Sequence, residues 1–98
     1  MIFITGRNEL KSGKCRDLTN KWIREKLLPV MKLEGADYDL HMRPYNDMRE
    51  DNLVKQDLYR AEVKDRYNVL VAFEDRNRVC AMYRQEGLVV FQVAEGDY

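Results

Sequence analysis

Apolar and polar blocks alternate along the chain from its first residues. Positions 1–4 are short and apolar, a strand that ends in Thr5-Gly6-Arg7. Positions 8–14 are polar, include Gly13 and predict a loop. From 15 to 28 apolar side chains recur at helical spacing (Leu18, Trp22, Ile23, Leu27), and Pro29 should end or kink that helix. Glu34-Gly35-Ala36-Asp37 reads as a turn. Tyr38 to Met42 reads as a short strand closed by Arg43-Pro44, and 47–51 as a polar loop. A helix is predicted from about 52 to 66, with Val54, Leu58 and Ala61 as its inward stripe. Val69-Leu70-Val71-Ala72-Phe73 is the best strand: five apolar residues without alternation, as in a strand covered on both faces. Positions 76–86 predict a helix with Val79, Met82 and Tyr83 inward, Asp75 as N-cap and Gly87 as its stop. Positions 88–93 form a last apolar strand.

The order βαβαβαβ argues for an α/β fold with a mostly parallel sheet, right-handed crossovers and helices on both faces. No repeat, low-complexity segment or linker interrupts it, so residues 1–98 read as one domain.

Composition narrows the function without naming it. With 17 Lys plus Arg against 17 Asp plus Glu, the net charge is zero. Overall charge therefore drives no binding to nucleic acid or anionic membranes, and any polyanion site must be local. No apolar run approaches the ~18 residues of a membrane span, and no signal peptide is visible. Cys15 and Cys80 lie far apart, without Cys-x-x-Cys spacing, and read as reduced thiols of a cytoplasmic protein. His41 is the only histidine, which leaves little material for multi-His metal sites; it reads as an ordinary strand residue. Trp22, Tyr83 and the methionines read as core or partial core.

Candidate chemistry gathers at strand ends, where α/β sheets build their sites. Ile4-Thr5-Gly6-Arg7, then Lys55 within a helix, then Phe73-Glu74-Asp75-Arg76, then Gln92-Val93-Ala94-Glu95-Gly96-Asp97-Tyr98 resemble the haloacid dehalogenase (HAD) superfamily. The closest likeness is to the 3′-phosphatase domain of phage-type polynucleotide kinase/phosphatases. It runs the length of this chain and covers the later part of that domain.

The resemblance implies roles residue by residue. Thr5 takes the place of a hydroxyl that binds the transferring phosphoryl group, with Gly6 allowing close backbone approach and Arg7 adding a guanidinium fork. Taken alone, the same residues read as a strand end with a solvated arginine. Lys55 matches the catalytic lysine that neutralises phosphate and nucleophile charge, with Arg49 as a nearby second phosphate candidate. The plain alternative for Lys55 is an i,i+4 pair with Asp51 on an exposed helix face. Glu74 and Asp75 match the acidic pair that holds Mg²⁺, hard oxygen donors at a strand end. The family usually has two Asp there, so Glu74 departs from it.

Family members also carry Asp-x-Asp-x-Thr on an earlier, central strand, whose first Asp is the phosphoryl-accepting nucleophile. No such motif occurs in these 98 residues; Asp37-Tyr38-Asp39 is followed by Leu40-His41. The resemblance thus implies a truncated HAD-like fold lacking its nucleophile strand, with two inner strands left without their shared neighbour and with Mg²⁺ bound weakly or not at all in the absence of that motif. They can pair directly, or a complementing chain or a second copy can fill the gap, or the chain is part of a longer product. The expected function is a polynucleotide 3′-phosphatase module acting on nucleic-acid 3′ ends, inactive alone. The alternative is a non-catalytic phosphate-, nucleic-acid- or protein-binding module.

Overall fold

A computed structural model describes residues 1–9 and 13–98; the middle of the polar loop expected at 8–14 falls outside the described residues. The strands form two parallel pairs, each in a unit of its own: Met1–Met48 and Arg49–Tyr98.

In the first unit, strand β1 (Ile2–Asn8) runs parallel to β2 (Asp39–Arg43). Parallel neighbours need a crossover. Here it is helix α1 (Lys14–Trp22), a π-helical turn (Ile23–Leu27) and the short α2 (Leu28–Val30). Register runs evenly from Ile2 opposite Asp39 to Thr5 opposite Met42, then jumps to Asn8 opposite Arg43. Gly6 and Arg7 are therefore a bulge inside a strand longer than its apolar start suggested, and glycine suits such a distortion.

The core of this unit is Ile23, Leu28, Leu40 and Met42, with Phe3, Cys15, Leu27 and Tyr38 packed against it. Phe3 and Tyr38 meet edge-to-face at 5.5 Å. Leu18 and Trp22, expected inward, are 52% and 53% exposed. Cys15, Thr19 and Ile23 face the core instead, and the Thr19 hydroxyl is satisfied by donating to the Cys15 carbonyl at 2.8 Å. Pro29 does not end the helix. The preceding turn widens so that the Leu28 N–H reaches the Ile23 carbonyl, and Pro29 sits near the start of the last turn, where its missing N–H costs little. Arg16 fastens the crossover down: its Nε donates to Glu9 at 2.6 Å and its Nη1 to the Leu40 carbonyl at 2.9 Å.

In the second unit, β3 (Ala72–Glu74) and β4 (Val90–Gln92) pair in parallel through α4 (Asn77–Gln85), preceded by α3 (Asp51–Leu58) and a π-helical turn (Tyr59–Val63). The inward face of α4 is as expected, Val79, Met82 and Tyr83, joined by Cys80. Gly87 stops it with φ 91°, a conformation that favours glycine. On α3 the inward stripe is Asp51, Val54, Lys55, Tyr59 and Val63; Val54 is inward as expected, whereas Leu58 and Ala61 are not buried. A π turn adds a residue to the turn and so rotates the stripe onward.

The strand expected at 69–73 is shorter and less covered than its composition suggested. Leu70 is 81% and Phe73 66% exposed. Helix α4 packs on the β3–β4 pair, and Phe73 and Phe91 are exposed, stacked edge-to-face at 5.6 Å. Glu86, just beyond α4, gathers Gln56, Arg60 and Lys64 from the α3 segment.

Candidate functional site

In the first unit the bulge holds Thr5, Gly6 and Arg7 side by side. The Arg7 N–H donates to Thr5 Oγ1 at 3.2 Å, which leaves the threonine's own O–H free to donate outward. The Gly6 carbonyl accepts from Arg43 Nε at 2.8 Å, and Arg43 Nη1 donates to the Asp47 carbonyl at 3.1 Å. Arg43 therefore braces the bulge from β2, a role that its place before Pro44 did not reveal. Arg7 itself is exposed. The chemistry on offer is a hydroxyl donor and a solvent-facing guanidinium, two groups suited to an anion. His41 lies in β2 opposite Ile4, an ordinary strand position.

In the second unit, Lys55 is buried. Its ammonium lies 2.9 Å from Glu74 Oε2 and 3.3 Å from Asp51 Oδ2, with all three side chains only 10–11% exposed. The i,i+4 pair with Asp51 does form, but inside the unit and shared with a strand residue. Arg76 Nη1 closes the group at 3.3 Å from the same Asp51 oxygen. Two acids and two bases balance, as burial of charge requires.

The acidic pair is divided in its duties. Glu74 Oε1 accepts the backbone N–H groups of Asp75 (3.0 Å) and Arg76 (3.3 Å), while Oε2 holds Lys55. Glu74 is thereby a knot between β3, the turn after it and α3. Asp75 does not cap α4: the N-cap is Arg76, without a side-chain cap bond. Asp75 Oδ2 instead accepts the Tyr98 hydroxyl at 2.7 Å. That bond, with the Glu74 carboxyl beside it, holds the Asp75 carboxyl below its usual range. Burial pushes the Tyr83 phenol up, and the charges of Glu74 and Asp51 add to it. Burial likewise raises the Cys80 thiol, whose Sγ lies 3.6 Å from the Glu74 carbonyl. Arg49 makes an exposed ion pair with Asp57 at 2.7 Å.

As donors for a hard cation, these residues form a partial set. No cluster of three or more His, Cys, Asp or Glu side chains suited to a metal occurs among the described residues. Both Glu74 oxygens are engaged by protein donors, and the Asp75 carboxyl lies against the Tyr98 hydroxyl and the Glu74 carboxyl. These oxygens do not by themselves make up a cation site; Mg²⁺, held by one or two carboxylates together with phosphate oxygens and waters, would need its other ligands from outside these residues. Of the residues the sequence singled out, the structure brings Lys55 and Glu74 together, with Asp75 next in the chain. Sequence reasoning treated Asp51 only as a surface partner and gave Arg76 and Tyr98 no separate role, because spacing does not reveal which polar groups meet in space.

Comparison with known proteins gives the family and the fold. The chain matches the family model of the polynucleotide kinase PNKP phosphatase domain over residues 1–98. It is 32% identical over 84 residues to a protein of Autographa californica nuclear polyhedrosis virus named as a bifunctional polynucleotide kinase/RNA ligase; the match covers 86% of this chain and 11% of that protein. It is also similar to a chain in the structure of the Pnkp1/Rnl/Hen1 RNA repair complex, at 34% identity and TM-score 0.77, covering 99% of this chain and 28% of the other. A chain in a second Pnkp1/Rnl/Hen1 complex gives 35% identity and TM-score 0.75, covering 99% and 30%. This chain thus spans under a third of each of these relatives. On residues and fold together, the chain belongs to the PNKP phosphatase domain family of HAD-like proteins.

Proposed function

We propose that this domain handles the phosphoryl group of a nucleic-acid 3′ end, as the part of a HAD-type phosphatase that lies outside the nucleophile strand. The observation that carries the reading is Lys55. A lysine buried between Asp51 and Glu74, one of them at the C-terminal end of a parallel strand, is a fixed positive charge where α/β sheets build their sites. A fixed cation of this kind stabilises charge on a transferring phosphoryl group without reorganising. In the first unit, the Thr5 hydroxyl and the Arg7 guanidinium are donors for phosphate oxygens, and Gly6 keeps the backbone accessible. Arg49, in the second unit, offers its guanidinium to a phosphate only by leaving Asp57. In the second unit, Asp75 is the ligand for Mg²⁺, with Glu74 beside it holding the turn in place. Mg²⁺, when bound, supplies Lewis-acid stabilisation of phosphoryl oxygens.

These 98 residues contain no Asp-x-Asp-x-Thr. In this reading the attacking carboxylate comes from outside them, on another segment or another chain. The names of the relatives, a polynucleotide kinase/RNA ligase and a component of an RNA repair complex, support nucleic-acid repair as the setting and partner chains as the rule.

The test is phosphate release from a 3′-phosphorylated oligonucleotide with Mg²⁺ by the 98-residue chain, alone and with a polypeptide bearing Asp-x-Asp-x-Thr. The expected result is no turnover alone and measurable turnover with the complement, reduced by Thr5→Ala or Arg7→Ala. Turnover by the chain alone at the rate of an intact phosphatase would overturn the assignment of the nucleophile. Indifference of the complemented reaction to both variants would remove Thr5 and Arg7 from the site.

A further inference from the structure

We infer that Arg43 is a positioning residue for the Thr5-Gly6-Arg7 bulge, a role that rests on the reading of Thr5 and Arg7 as phosphate donors. Its guanidinium fixes the direction of the peptide between Gly6 and Arg7, and through that peptide the direction in which the Thr5 hydroxyl donates. Register between β1 and β2 is even up to Thr5 opposite Met42 and resumes at Asn8 opposite Arg43. Gly6 and Arg7 lack ladder partners in between, so the Gly6 carbonyl needs a donor from elsewhere. Arg43 spans the break with side chain and backbone together. Its Nε donates to the Gly6 carbonyl at 2.8 Å, and its own carbonyl accepts the Glu9 N–H at 2.9 Å.

The far end of the guanidinium is anchored as well. Nη1 donates to the Asp47 carbonyl at 3.1 Å, and the Asp47 N–H donates to the Pro44 carbonyl at 3.1 Å, closing the turn after β2. A planar guanidinium held at two carbonyls has little freedom to rotate. Arg43 is half-buried, which strengthens both bonds against competition from water.

The peptide carries this constraint across the bulge. The Gly6 C=O and the Arg7 N–H belong to one planar trans unit and point in opposite directions. A carbonyl drawn toward Arg43 therefore aims the N–H away from it, and that N–H donates to Thr5 Oγ1 at 3.2 Å. With Oγ1 accepting there, the hydroxyl proton is left for an arriving acceptor. A peptide turned the other way would put a carbonyl oxygen beside Oγ1 and draw the hydroxyl proton to itself. An anion is held by donors, so the orientation set by Arg43 is the one that suits phosphate.

The test is binding of inorganic phosphate to the isotope-labelled 98-residue chain, followed by amide shifts at Thr5, Gly6 and Arg7. Arg43→Met keeps the length of the side chain and removes its donors. It should weaken phosphate about tenfold, the worth of one hydrogen bond to an anion, and leave the amides of the core residues Ile23 and Leu28 in place. A double-mutant cycle separates positioning from direct contact. If Arg43 acts through Thr5, Arg43→Met adds nothing to Thr5→Ala; losses that multiply overturn the positioning role. In the wild type, a scalar coupling across the hydrogen bond from Arg43 Nε to the Gly6 carbonyl carbon should survive saturation with phosphate. Its absence overturns the role even where Arg43→Met fails to fold. Core amides that move in a folded Arg43→Met would make Arg43 a scaffold residue and overturn it too. If Arg43→Met binds phosphate like the wild type while Arg7→Ala binds less, positioning falls and the reading of the bulge stands. If phosphate leaves the signals of Thr5, Gly6 and Arg7 unmoved in the wild type, that reading fails and the positioning role falls with it.

Discussion

The two units are built on the same plan, a parallel strand pair joined through helix, yet they place polar chemistry in opposite surroundings. The first keeps an apolar core and sets Thr5, Gly6 and Arg7 on a strand bulge, with Arg7 in solvent. The second places Asp51, Lys55 and Glu74 inside, each at 10–11% side-chain exposure. An exposed arginine is stabilised by water and contributes little to folding, so it is available to an arriving anion. A buried lysine must have its partners, so the same contacts that fix its charge also hold the unit together. In the second unit the charge of Lys55 therefore cannot be changed without touching stability, whereas in the first the charge of Arg7 can.

The largest effect should come from Lys55→Met. It leaves the Glu74 carboxylate buried without its cation and Asp51 with only Arg76, a change that costs about 3 kcal/mol or more. Hydrogen exchange at the amides of α3 and α4 should accelerate, while Trp22, the sole tryptophan and a resident of the first unit, reports little change. A loss below about 1 kcal/mol would mean that the network is not what holds this unit.

Gly96→Ala should come next. The added methyl has no room against the Asp75 carbonyl oxygen and the Arg76 Cα, so the chain around residue 96 must lift, at a cost of about 1–3 kcal/mol typical of overpacking. Urea unfolding followed by amide exchange in the second unit would measure it; an unaltered midpoint would contradict the close approach.

A pH dependence separates the units next. The Arg60 hydrogen bond, helped by Gln56 and Lys64, holds the Glu86 carboxyl below its usual value of 4.5. A lowered native value means the unfolded chain binds the proton first as pH falls. The stabilisation is thus complete above about 4.5 and is lost as pH drops through the lower native value. Glu86→Gln should flatten this acid limb for the second unit. At the other end, burial raises the Tyr83 phenol, so the unfolded chain loses its proton first and stability declines as pH climbs above about 10. Tyr83→Phe should remove that decline, read from thermal midpoints at pH 8 and above 10. An alkaline limb that persists in Tyr83→Phe would assign it to another group.

Arg7→Ala should have the smallest effect on folding, within about 0.5 kcal/mol. Its consequence should appear instead as weaker binding of inorganic phosphate, followed by chemical-shift changes at Thr5 and Gly6. A marked loss of stability would show that Arg7 is part of the scaffold, and the contrast between units would disappear.

Much of this was legible from the residues because periodicity reports local structure. The order of elements, the inward face of α4 and the stop at Gly87 depend on neighbours three or four positions apart. The inward face of α1 was less legible because apolar residues stand on two of its faces, Leu18 and Trp22 on one, Cys15 and Ile23 on the other, and that of α3 because the π turn after Leu58 moves the stripe on by a residue that no composition signals. Val69 to Phe73 looked doubly covered because apolar runs usually are, but coverage depends on what packs against a strand, which lies elsewhere in the chain.

The sequence by itself determined the alternation of strands and helices and the motif residues Thr5-Gly6-Arg7, Lys55 and Glu74-Asp75. Local spacing and residue chemistry suffice for both. Tertiary structure decided what each motif residue became: Lys55 a buried, doubly held cation, Glu74 a structural knot, Asp75 a carboxylate bonded to the Tyr98 hydroxyl. The reason is that the energy of a charge depends on its solvent and its partners, and the partners that meet across elements, Lys55 with Glu74 and Asp75 with Tyr98, come together only when the chain has folded.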